Sequence, residues 1–151
     1  MGTTTFSGPV RSERGFTAVG STAVVEITAV TTLTYADHVG RIIEVNDADG
    51  AVTLPTITSD TIGATYKFFV GTDSTDLDIK TDGTDKFVGT LAVMGTTTKA
   101  FAPAASNDVI SMNGTTTGGD RGSIVEVTAI ATAEYMVSGT LAGSGTAATP
   151  F

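Results

Sequence analysis

The sequence predicts an all-β fold, an antiparallel β-sandwich or barrel of jelly-roll type with an extended N-terminal arm. Three observations predict it. Thirty of the 151 residues are threonine and eighteen are glycine, while leucine, lysine, glutamate and arginine are scarce, a mixture that favours strands and turns. Short runs of alternating apolar and polar residues are separated by clusters of Gly, Asp and Asn at the spacing of a sandwich or barrel. No segment offers the ten or more residues of helical period that a βαβ crossover needs, so antiparallel hairpins are expected rather than a parallel α/β sheet.

The length suits one domain with its own core and is short for two. Residues 1–20 show no sustained period of 2 or 3.6 and read as an extended arm. Residues 21–138 form the expected body. There Val25, Ile27, Ala29, Leu33 and Tyr35 fall on one face of a long period-2 run, with Glu26, Thr28, Thr32 and Thr34 on the other, the pattern of a strand with one buried side. Further strands are expected at 41–45, 51–54, 65–70, 77–81, 87–94, 99–101 and 109–112, and one long last strand at 123–138. Between them stand Asp47, Asp49 and Gly50, then Asp82 and Gly83, then Asn113 and Gly114, then Gly118, Gly119 and Asp120, residues that favour tight turns. Residues 139–151 are mostly Gly, Ala, Ser and Thr and read as a second tail, with too little apolar surface to offset the entropy of ordering it alone.

Two internal similarities stand out. Val25, Glu26, Ile27, Thr28, Ala29, Val30, Thr32 and Tyr35 recur as Val125, Glu126, Val127, Thr128, Ala129, Ile130, Thr132 and Tyr135. The two strands are expected either to pair in one sheet or to hold equivalent places in two, unless the likeness is one of composition alone. Gly-Thr-Thr-Thr occurs at Gly2, Gly95 and Gly114 and reads as low-complexity loop chemistry.

The chain has no cysteine, so neither disulfides nor thiolate metal sites are available. No apolar stretch approaches the ~20 residues of a membrane span, and the N-terminus does not read as a secretion signal. A soluble protein made in the cytoplasm, without membrane contact, is expected. The net charge of −8 is carried unevenly: Arg11, Glu13 and Arg14 leave the first 19 residues at +1 and the remainder at −9. An acidic body with scattered basic residues argues against a nucleic-acid partner.

Catalytic patterns are not found. His38 is the single histidine, no nucleophile-elbow or phosphate-cradling motif accompanies it, and it is expected in the turn before Arg41. Asp47, Asp49 and Gly50 echo the opening of a calcium loop, but the closing carboxylate is missing because position 58 is Thr58, and a turn explains them better. Asp73, Asp76, Asp78, Asp82 and Asp85 are of the type that can supply oxygen ligands to a hard cation from two neighbouring loops, yet exposed turn aspartates are commoner and are the preferred reading. With no tryptophan, an aromatic sugar platform is poorly supplied. Asn113, Gly114 and Thr115 match a glycosylation sequon and equally a hairpin turn, and the turn reading is preferred. No enzyme activity, cofactor or metal is expected. Phe6, Phe16 and Phe151 lie in the two tails, where each either anchors in a partner's pocket or folds back on the chain's own core.

The run Thr3, Thr4, Thr5, Phe6, Ser7, Gly8, Pro9, Val10, Arg11 and Ser12 resembles the opening of small virion proteins encoded near capsid genes in marine and cyanobacterial tailed phages. Over the body the likeness is one of style, in Gly40–Val45, Val52–Pro55, Ile62, Gly63 and Tyr66. The resemblance implies a capsid decoration, or cement, protein. It implies a β-sandwich or barrel knob, usually trimeric, that seats at threefold positions on the outer head surface and clamps adjacent major capsid subunits. The residues expected to touch the capsid or a neighbouring protomer are Thr5, Phe6, Pro9, Val10, Arg11, Arg14, Phe16 and Phe151. The alternative is a tail-fibre, spike or adhesin module that binds a carbohydrate or host surface through an exposed aromatic cleft.

Overall fold

The computed structural model describes residues 23–151. Eleven strands form two sheets with a shared core. They are β1 (Val24–Ile27), β2 (Thr31–Thr32), β3 (Ile42–Val45), β4 (Ala51–Thr53), β5 (Thr65–Val70), β6 (Leu77–Lys80), β7 (Lys86–Met94), β8 (Thr98–Phe101), β9 (Val109–Met112), β10 (Ile124–Ala131) and β11 (Glu134–Ala142). One sheet has seven strands in the order β1-β3-β5-β10-β11-β7-β8, and the other has four in the order β2-β4-β6-β9. A one-turn helix, α1 (Tyr35–His38), and a 3-10 turn at Ser59–Thr61 complete the elements.

The all-β sandwich is as expected, but its pairing is mixed. Five of the nine strand pairings are parallel. From β1 to β6 the chain alternates between the sheets, so β1, β3 and β5 lie parallel in one and β2, β4 and β6 lie parallel in the other. Parallel neighbours need a crossover because the chain must return to the same end before pairing again. Here a strand of the facing sheet makes the return, and no helix is required. Successive windings are tied by backbone bonds at the crossings: Asn46 N–H donates to Ile27 O (2.7 Å), Gly71 N–H to Val45 O (2.8 Å) and Leu54 N–H to Lys80 O (2.7 Å).

Period-2 alternation does the packing. Tyr66, Phe68 and Val70 of β5 are buried, while Thr65, Lys67 and Phe69 face outward. Ile43, Phe68, Val125 and Leu91 lie in one cross-sheet row on the inner face of the larger sheet. They meet Val52, Ile79, Ile110 and Met112 of the smaller sheet in a single core. Tyr135 adds a polar tie: its ring packs edge-on to Tyr66 with centroids 6.4 Å apart, and its hydroxyl donates to Pro55 O at 2.6 Å.

Several expectations are revised. The run from 25 to 35 is not one strand, because the chain leaves the larger sheet after Ile27 and joins the smaller one at Thr31. Ile27 and Leu33 are buried, but Ala29 is exposed and Tyr35 is half exposed at the start of α1. Its counterpart begins as one strand over residues 125–131, within β10, which is flanked by β5 and β11, and then turns so that Tyr135 falls in β11. The register places Val25, Ile43, Phe68 and Val125 in one row, so β1 and β10 share a sheet with two strands between them and do not pair directly. The expected long strand 123–138 is a hairpin, β10–β11, turning at Thr132 and Ala133.

The C-terminal stretch is no free tail. Residues 139–142 belong to β11, and the chain beyond runs between the loops of the second and third Gly-Thr-Thr-Thr motifs. Gly143 N–H donates to Met94 O, Thr96 N–H to Gly145 O and Ala148 N–H to Thr116 O, each at 2.8 Å. Ala147 N–H donates to the Thr97 hydroxyl at 2.9 Å. Ordering energy missing from the segment's own composition comes from the body it lies on. The expected arm, residues 1–20, lies outside the described residues.

Candidate functional site

The larger sheet has an unusual outer face. In a sandwich the side chains turned away from the core are ordinarily polar. Four neighbouring strands instead carry an apolar doublet: Val24-Val25 in β1, Ile42-Ile43 in β3, Phe68-Phe69 in β5 and Ile124-Val125 in β10. Consecutive residues of a strand point to opposite faces, so each doublet puts one apolar side chain outside. Val24 is opposite Ile42, and Phe69 is opposite Ile124. Val24, Ile42 and Ile124 are 39%, 47% and 54% exposed.

These residues wall a depression of about 430 Å³ together with Glu44 and Lys67. Going along the β5–β10 ladder, polarity falls away toward it. Thr65 and Thr128 share a hydroxyl bond of 2.9 Å, Lys67 and Glu126 form an exposed ion pair at 3.4 Å, and then come Phe69 and Ile124. Exposed pairs of this kind contribute little to stability. This apolar depression with a charged rim is the candidate docking surface of the described residues. β1 closes this end of the sheet, and its far edge has no strand beside it among the described residues.

The residues singled out by sequence are distributed as follows. Thr5, Phe6, Pro9, Val10, Arg11, Arg14 and Phe16 lie outside the described residues. Phe151 is half buried and packs on the body's own core, held there by the Ser111 N–H to Pro150 O bond of 2.7 Å. It is therefore anchored locally, by the second of the two expected routes. His38 ends α1 and is buried. Its Nδ1 accepts from Thr34 N–H at 3.0 Å, which makes it part of the helix start.

The aspartates serve the backbone. Asp82 accepts from the N–H groups of Thr84 and Asp85 and from the Thr56 hydroxyl, and the Thr56 bond is the main cause that holds its carboxyl below the usual range. Asp85 is buried and accepts from Ile57 N–H at 2.9 Å. Burial pushes its carboxyl above the usual range. Asp73 caps the Arg121 N–H at 2.7 Å. Among the described residues no three acidic or histidine side chains converge as a metal site. Asn113 does not make a hairpin: its Oδ1 accepts from the N–H groups of Thr115 and Thr117, and the loop carries the chain from the smaller sheet to the larger.

No protein-family model, no curated protein and no solved structure matches this chain.

Proposed function

We propose that the chain is a structural virion protein of a tailed phage, a decoration protein that seats on the outer surface of the head and clamps adjacent major capsid subunits. The observation that carries this reading is the resemblance of residues 3–12 to the opening of such proteins. The body supports it with a β scaffold whose exposed apolar face includes Val24, the first residue of β1. An arm of this composition can add strand-like hydrogen bonds to a neighbour while Phe6, Pro9 and Val10 fill pockets and Arg11 and Arg14 supply charge. In a homotrimer, three linked arms would hold far more firmly than one. The role adds interface area between capsomers and calls for no catalysis.

The carbohydrate-binding alternative is less well supplied. Tyr66, Phe68, Phe87 and Tyr135 are buried, which leaves Tyr35 exposed and Phe69, Phe101 and Phe151 partly exposed among the described aromatic residues. Co-sedimentation separates the readings. The full-length chain is expected to pellet with heads assembled without it, and the chain lacking Met1–Gly15 is expected to stay folded and remain in the supernatant. Equal binding by the truncated chain would show that the arm is not the attachment element.

A further inference from the structure

The apolar depression on the larger sheet has no cover among the described residues, and one of its walls, Val24, lies four positions past the expected N-terminal arm, residues 1–20. We propose that it is the seat of the chain's own segment 16–19, with the Phe16 ring filling the space between Ile42, Phe69 and Ile124. Three observations argue for this occupant. The first is position. Phe16 stands eight positions before Val24, and extended chain spans up to roughly 3.3–3.6 Å per residue. That reach exceeds the width of the four strands, which are about 4.8 Å apart, and Gly20 and Ser21 supply the reversal that a return over the sheet needs.

The second is chemistry. Phe16, Ala18 and Val19 form an apolar cluster suited to aliphatic walls. Arg14 stands two residues before Phe16, and the rim carries Glu44 and, on the next strand, Glu26. Neither glutamate pairs with a cation among the described residues. The third is tethering. A linked segment meets its site at an effective concentration on the order of millimolar, so a contact too weak to hold a separate peptide suffices. A second copy would have to bind without that advantage.

The arm is thereby divided. Segment 16–19 fastens it to its own body with Arg14 at the rim, which takes Arg14 and Phe16 out of the set that reaches a partner, and Met1–Glu13 project with Phe6, Pro9 and Arg11. The inference concerns the free chain and does not rest on the decoration role.

The chain contains no tryptophan, so a single introduced indole reports its own surroundings. In the free full-length protein, Phe16→Trp is expected to emit at shorter wavelength than Phe6→Trp and to be several-fold less quenched by acrylamide. Adding Ile124→Glu, or separately Ile42→Glu, at exposed positions is expected to return its emission to that of Phe6→Trp with an unchanged circular dichroism spectrum. The protected emission is expected to be independent of protein concentration. Water-exposed emission from Phe16→Trp would overturn the proposal, as would protection that survives both glutamate substitutions. Protection lost on dilution would also overturn it, because the seat would then belong to another copy.

Discussion

Asp85 shows what a single residue can decide in this fold. Its carboxylate accepts the Ile57 N–H across 28 positions of sequence, so removing it strands a buried donor. Asp85→Ala is expected to cost about 1–3 kcal/mol, measured by urea unfolding. Its pH dependence has a definite sign. Burial raises the folded-state value, with Asp82 adding to the rise while the Ile57 N–H and Lys86 oppose it. Stability from the protonated group is therefore full below the unfolded value of about 3.9 and is lost as pH rises through the higher folded value. Asp85→Asn stays neutral, so it is expected to exceed the wild type in melting temperature at pH 7 and to lose that advantage toward pH 3. An advantage that grows on acidification would contradict the assignment. At Tyr135 the ring supplies packing and the hydroxyl one bond to Pro55 O. Tyr135→Phe is expected to lose about 1 kcal/mol with no change of fold. The sequence marked Asp82 as a turn residue correctly. That Asp85, three positions on, is buried against a distant backbone group could not be read locally.

Among the elements, strands were far more legible than their partners. The runs at 65–70 and 109–112 coincide with β5 and β9, because period-2 burial is written in consecutive residues. The turn clusters correctly marked where strands end. Asp47 to Gly50, Asp82-Gly83 and Asn113-Gly114, however, carry the chain between sheets, since a turn residue permits a reversal without naming the strand that receives it. The hairpins that do form turn at Thr132-Ala133 and at Gly95–Thr97. Ala133 holds a φ of 65°, a conformation that costs an L residue about 1–2 kcal/mol. Ala133→Gly is therefore expected to stabilise the hairpin, by about 0.5–1 kcal/mol once glycine's greater unfolded-state freedom is subtracted, as checked by thermal unfolding. Gly95 tests the C-terminal clamp. A Cβ there would run into the Gly145 carbonyl, so Gly95→Ala is expected to destabilise by about 1–3 kcal/mol. Phe151→Ala, at a half-buried site, is expected to cost about 1–2 kcal/mol.

For the whole molecule, composition and alternation were enough for an all-β sandwich but not for its winding. The absence of helical periodicity does exclude βαβ units, yet a strand in the facing sheet makes the same crossover, and nothing local distinguishes it from a hairpin arm. The surface site was partly legible. Doublets such as Ile42-Ile43 and Phe68-Phe69 break strict alternation and announce an apolar outer side chain in each strand. That four of them assemble into one face depends on the order β1-β3-β5-β10, which lies beyond local pattern. The proposed role in the virion joins this face to the arm expected at residues 1–20: a β knob, a reaching arm, and interface gained between capsomers. The most direct measurement is a cryo-EM map of heads assembled without this protein and then saturated with it. The account predicts ordered knobs at threefold positions with residues 1–15 crossing onto neighbouring capsid subunits. Bare heads under saturating protein would contradict it.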